Sequence, residues 1–260
     1  MDKHNIHFFN FVWGLDLLWE MTIKEVKLRY KNTTLGFLWV IIYPVIQVII
    51  IGYVFSFINK TADSNYKYSL FLNLLIWNFF SSSLENATSS IVQNRTIVKK
   101  AKFPYIVIPL SIVLCNGIHL LLPLMLFCVF VSVFHITSGI NVLMIFISCL
   151  ILLFFTGSLS LITSALNVKW RDVGFLIRAS LMVWFYATPI IYNIFNIPAN
   201  INYLWSLNPL TEIVMFFQYS FFRTPIFFSF ILLNSLIIIG TMISGLFIFR
   251  RFEDYFDDYI

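Results

Sequence analysis

The hydrophobic pattern resolves into one periodic stretch followed by six long apolar ones. Apolar positions at Phe8, Phe11, Val12, Leu15, Leu18, Trp19, Ile23, Val26 and Tyr30 recur every three to four residues, which predicts an amphipathic helix over 8–30. Its aromatic face and basic end suit a helix lying in a membrane interface, with packing on a soluble partner as the alternative. Runs with few or no charges follow at 35–58, 68–84, 105–134, 140–168, 173–192 and 226–249. The first, Leu35 to Ile58, holds 24 residues without a charge. At a rise of about 1.5 Å per residue such a helix reaches about 36 Å, enough for a hydrocarbon core of about 30 Å. The second run is near the lower limit for spanning, and the third and fourth are long enough to tilt or kink. Pro44 in the first run and Pro109 and Pro123 in the third mark places to bend. The pattern predicts an all-α integral membrane protein of six transmembrane helices.

Charge sets the orientation. Fourteen Lys and Arg fall on one face: Lys3, Lys24, Lys27, Arg29 and Lys31, the 85–104 loop, the 169–178 region, and Arg250 and Arg251. Only Lys60, Lys67 and Arg223 fall on the other. That bias places both termini in the cytoplasm. The domains are then a cytoplasmic segment with the interfacial helix at 1–34, a six-span domain at 35–249 and an acidic tail at 250–260. The tail reads as solvated, with contact to a basic partner as the alternative. The outward segment 193–225 is rich in aromatics, including Trp205, Phe216 and Phe221, and is expected to form short re-entrant helices covered by protein. Asn208-Pro209 looks like a helix start within it. No internal repeat relates the first three spans to the last three.

Composition agrees: 60% of the 260 residues are hydrophobic and 11% charged. The net charge of +5 is explained by cytoplasmic loops rather than by nucleic acid. Cys115, Cys128 and Cys149 all lie in apolar runs and read as small buried hydrophobes, so no metal site is expected. The first 34 residues mix apolar and charged positions and show no cleavable signal peptide. No phosphate loop, HExxH or GxSxG motif is present, so nothing points to nucleotide hydrolysis or bond cleavage by this chain. The runs hold no Asp or Glu away from their ends, the group an ion-coupled carrier normally buries. His119 is the one titratable side chain in mid-run and reads as a hydrogen-bonded structural residue.

Two patterns remain. In the 85–104 loop Arg95, Lys99 and Lys102 share one helical stripe, with Lys100 and Phe103 beside it. A short basic helix there could dock on a partner protein or touch anionic lipid. Trp39, Tyr43, Tyr53, Trp77, Trp184, Phe185 and Tyr186 punctuate three of the runs, where interfacial belts, core packing and sugar stacking are all open. Arg171 and Asp172 are neighbours that cannot pair along a helix, so each is a cap or a partner to another helix. Arg178 lies one turn into the fifth run and could snorkel to the interface.

Six stretches stand out: KLRYKNTTLGFLWVIIYP (27–44), IWNFF (76–80), KAKFPYIVIPL (100–110), NVKWRDV (167–173), ATPIIY (187–192) and LNPL (207–210). Together they resemble the membrane subunit of ABC-2 type polysaccharide exporters. They occur in the family's order and span nearly the whole chain. The resemblance implies a homodimer seated on two copies of an ATP-binding cassette subunit, which binds the ATP and Mg while this chain carries no cofactor. It implies export of a lipid-diphosphate-linked glycan of the O-antigen, capsule or teichoic acid kind across the bacterial plasma membrane. By the same resemblance Arg95, Lys99, Lys100, Lys102 and Phe103 become the coupling element. Trp39, Tyr43, Tyr53, Trp184, Phe185 and Tyr186 become the conduit lining, and the outer segment becomes a gate. Arg29 and Lys31, at the mouth of the first span, are placed to attract the carrier's diphosphate. Rival readings are a permease of the same family for a drug or another lipid, a stand-alone ion-driven flippase, and a membrane transferase.

Overall fold

The computed structural model describes residues 3–31, 33–58, 66–100, 103–137, 139–194 and 205–256. Among them the chain forms nine α-helices and no strand: α1 (Lys3–Tyr30), α2 (Trp39–Ile58), α3 (Tyr66–Gln93), α4 (Arg95–Lys100), α5 (Val107–Val133), α6 (Val142–Lys169), α7 (Asp172–Ala187), α8 (Pro209–Phe222) and α9 (Phe228–Glu253). A 3-10 turn at Gly36–Leu38 leads into α2. Among the described residues three helices are long and apolar enough to cross a membrane: α5, α6 and the Ile231–Glu253 part of α9.

Each apolar run lands on a helix, but several boundaries move for physical reasons. α3 continues well past residue 84, because Thr88 and Ser90 of its polar second half are buried and bonded inside the protein. The Thr88 hydroxyl lies 2.8 Å from that of Thr163 on α6. α7 stops at Ala187 rather than 192, since Thr188 is extended and Pro189 follows it. α9 carries on to Glu253, past the end of its apolar run. The segment after it is not simply solvated: Asp254 and Tyr255 are exposed, but Phe256 is 1% exposed.

α6 is the central helix and packs against α3, α5, α7, α8 and α9. Lipid tails are as apolar as leucine, so close packing rather than escape from water holds such helices together. The larger core joins Phe80 of α3, Phe127 of α5, Leu152 and Phe155 of α6, and Phe217 and Phe221 of α8. The Phe80 and Phe155 rings lie nearly parallel with centroids 6.0 Å apart. A second core, at the end of the bundle that carries α4, joins Met21, Val98, Tyr105, Leu161, Phe249 and Phe256. Along the α6–α9 seam Gly245 sits so close to Ser158 that a Cβ there would lie 2.8 Å from the Ser158 carbonyl oxygen.

Short connections make neighbouring helices antiparallel. Only Trp170 and Arg171 separate α6 from α7, and the Asn167 side chain accepts from the Gly174 N–H at 3.0 Å to fix that corner. Asp172 takes the first turn of α7, where the helix dipole favours an acid. Asn141 caps α6 by accepting from the Met144 N–H, and its own N–H donates to the Ser220 carbonyl at the end of α8.

Candidate functional site

Arg29 sits in the last turn of α1, which packs along α5. Its Nη1 donates to Asn116 Oδ1 at 2.6 Å and to His119 Nδ1 at 2.7 Å. A guanidinium has no acceptor, so Nδ1 must accept and a neutral His119 carries its proton on Nε2. The Tyr30 ring meets His119 edge-to-face at 5.3 Å. Burial pushes the Tyr30 phenol up to about 12, against the opposing pull of Arg29, so it stays protonated.

These groups open onto a cavity of about 370 Å³ between α1, α2, α3 and α5. Trp39 and Tyr43, one turn apart on α2, form its aromatic wall; Asn78 and Ser82 of α3 and Asn116 and His119 of α5 face them. Val40 and Pro44 also line it, and Pro44 cannot donate the helical hydrogen bond to the Val40 carbonyl. A polar ladder crosses behind the wall. Asn78 Nδ2 donates to Gln47 Oε1 at 2.6 Å, and Gln47 Nε2 donates to the Tyr43 hydroxyl at 3.2 Å. A cation, amides, hydroxyls and two aromatic faces in one space can receive an anionic group joined to a hydroxyl-rich ring.

The other aromatic candidates part company. Trp184 is half-buried: its Nε1 donates to Asn208 Oδ1 at 2.9 Å, its ring lies edge-on to Phe80 at 5.1 Å, and it lines an open depression with Ala187 and Leu207. Phe185 packs on Trp77 at 5.3 Å. Tyr53 and Tyr186 are exposed, each at 68%. Lys31 is not in the cavity with Arg29; it lines a shallow surface depression with Glu20, Lys24 and Lys27.

Asn208 is the hub that holds the end of α7. Its Oδ1 accepts from Trp184 Nε1 and from the Leu210 N–H at 3.1 Å, while Nδ2 donates to Thr188 Oγ1 at 2.9 Å and to the Ala187 carbonyl at 3.3 Å. Asn73 of α3 donates to the Ile190 carbonyl at 3.0 Å and accepts from Gln218 of α8. The turn after α7 is thus tied to α3 and α8.

At the other end of the bundle α4 is a six-residue helix with Arg95, Lys99 and Lys100 exposed and Val98 buried. The Ile97 and Val98 N–H groups donate to the Asn94 carbonyl, which starts the helix. Phe103 lies edge-on to Tyr105 at 5.2 Å. Lys102 falls outside the described residues. Arg178 lies 4.0 Å from Glu85, and both are exposed.

Sequence reasoning passed over the amides. Gln47, Asn78, Asn116 and Asn208 are polar groups in or beside apolar runs, and such residues need a partner. That rule, applied beyond His119, would have found them. It would also have found Glu212 in the first turn of α8, 3% exposed, and the fully buried Asn234 of α9. Among the described residues no group of three or more His, Cys, Asp or Glu could hold a metal ion.

Comparison with known proteins gives concordant results. The profile of the ABC-2 type transporter family matches residues 16–222. Two proteins of Klebsiella pneumoniae described as O-antigen export system permease protein RfbA are each 31% identical, with 94% of this chain and 95% of theirs aligned. A Myxococcus xanthus protein of the same description is 30% identical, with 80% of each chain aligned.

Proposed function

We propose that this chain, which belongs to the ABC-2 type transporter family, is the permease subunit of an ABC exporter that moves a lipid-linked polysaccharide outward across the plasma membrane. The family is one of transport membrane subunits, so ATP hydrolysis belongs to a separate cassette subunit. The observation that carries the substrate class is the relatives' description as O-antigen export permeases over almost the whole chain. The cavity supports it, since it puts Arg29 beside Trp39 and Tyr43.

In this reading two copies of the chain form a homodimer on two cassette subunits, with six spans each and both termini in the cytoplasm. The six spans are α2, α3, α5, α6, α7 and α9. α1 lies in the cytoplasmic interface. Its outward-facing Trp13, Leu15 and Trp19 are exposed apolar groups that suit lipid, while Leu17, Leu18 and Met21 pack on the protein. α8 and its flanks are the re-entrant outer segment that gates the conduit. α4 is the coupling element, with Arg95, Lys99, Lys100, Lys102 and Phe103 meeting the cassette. Arg29 attracts the carrier diphosphate, and Lys31 adds long-range charge at the mouth. Trp39 and Tyr43 take the first sugars, while Tyr53 and Tyr186 lie further along the path. Trp184 and Phe185 shape its wall from behind.

The mechanism follows from these parts. The glycan-lipid offers phosphate oxygens, for which a guanidinium provides paired donors. Arg29 is already held by Asn116 and His119, so less side-chain freedom is lost on binding. Aromatic faces stack on sugar rings in any order, which suits a repeating polymer that must slide. The drive comes from the cassette through α4. Deleting the gene in its host tests the reading: lipid-linked glycan should accumulate inside the cell and vanish from the surface. Unchanged surface glycan would sink it.

A further inference from the structure

α4 is joined covalently to α3 and α5, and on connectivity alone those two helices would receive any push delivered there. The packing adds a third. Tyr105, between α4 and α5, is held from two sides: its hydroxyl lies 3.4 Å from the Val98 carbonyl of α4, and its N–H donates to Glu253 Oε1 of α9 at 3.1 Å. The first contact reaches a carbonyl in the last turn of α4. The second crosses 148 residues of sequence. The Tyr105 ring then lies 6.0 Å from Phe256, which meets Phe249 edge-on at 5.5 Å. Phe249, Phe256 and Val98 are almost completely buried in one cluster.

A helix of six residues has little stability of its own, so its position is set by what it packs on. We propose that α4 and the last turn of α9 form one rigid unit, with Tyr105, Glu253 and Phe256 as the positioning residues that lock them together. Motion at α4 then reaches the sixth span directly. It passes on to the central helix through the backbone contact of Gly245 with Ser158, which leaves no side chain to absorb it. The proposal rests on the reading of α4 as the surface that meets the cassette, and adds where the stroke goes.

The test uses the full transporter, permease plus cassette subunit, reconstituted in lipid nanodiscs. Spin labels go on Thr96→Cys of α4 and Tyr255→Cys in the turn that follows α9, both exposed, in a chain whose three cysteines are replaced by alanine. The distance between the labels should stay unchanged, within about one helical rise of 1.5 Å, whether or not ATP is bound. A distance that shifts further on ATP binding overturns the proposal. In proteoliposomes, Glu253→Ala and Phe256→Ala should keep the cassette bound and hydrolysing ATP. Glycan exported per ATP should fall at least about fivefold, the lower edge of coupling between two sites. Glu253→Gln keeps an acceptor oxygen and should restore export. Wild-type export from both alanine variants, or a Gln variant as poor as Ala, overturns the assignment. Docking is read separately, from cassette co-purification with Lys99→Glu. Undiminished co-purification there removes the reading of α4 and the proposal with it, whereas a moving label pair with docking intact removes the proposal alone.

Discussion

Alanine at Gly245 and alanine at Gly240 should act in opposite directions, though the two lie five residues apart on α9. At Gly245 the new Cβ would stand 2.8 Å from the Ser158 carbonyl oxygen and 3.3 Å from that residue's carbonyl carbon and Cα. All three are backbone atoms of the central helix, so no rotamer change relieves the contact and α9 must move away from α6. Inserting a methyl into a packed seam costs about 1–3 kcal/mol. Replacing glycine by alanine inside a helix returns about 1 kcal/mol. At Gly240 a Cβ meets nothing within 4 Å, so only the second effect operates. The two variants should therefore differ in stability by about 1–3 kcal/mol, the overpacking cost alone. Unfolding in mixed micelles, followed by tryptophan fluorescence, measures that difference. Equal stabilisation by both substitutions would refute the close seam.

Three further outcomes are expected. Asn208→Ala loses a helix cap, at about 0.5–2 kcal/mol, and the hydrogen bond from the half-buried Trp184, at about 1 kcal/mol; Trp184→Phe removes one hydrogen bond and should cost about 1 kcal/mol in the same unfolding assay. Arg29→Gln should lower glycan export in proteoliposomes about tenfold, the equivalent of about 1.4 kcal/mol, and Lys31→Gln by a smaller factor because Lys31 lies outside the cavity. Arg95→Glu together with Lys99→Glu should reduce cassette co-purification while leaving the unfolding midpoint unchanged, since both side chains are exposed; full co-purification would count against docking at α4.

The helices were legible because a charge-free run of this length has few other solutions, and α2, α5, α6 and α9 lie where the runs do. Polarity alone ends α3 at residue 84, because along a sequence a polar residue reads as an exposed one. Thr88 and Ser90 bond to their own backbone or to α6, so the helix continues inside the protein. Hydrophobic pattern also could not sort the aromatics, since Trp39 and Trp184 look alike until Asn208 is found bonded to one and Arg29 in the cavity beside the other. Arg29 was singled out for its place at a span mouth. Its partners Asn116 and His119 lie 87 and 90 residues away, beyond any local rule. Acidity near the end of α9 suggested solvent, and Phe256 overrode it for one turn by packing on Phe249 and Tyr105.

The central claim is that this chain passes a lipid-linked glycan through the membrane on energy supplied by another subunit. Proteoliposomes holding the permease with or without its cassette ATPase, loaded with fluorescent glycan-lipid in the face that corresponds to the cytoplasm, test it directly. Transfer to the opposite face should require both the cassette and ATP, and a proton gradient without the cassette should give none. Transfer driven by the proton gradient in liposomes that hold only this chain would contradict the account.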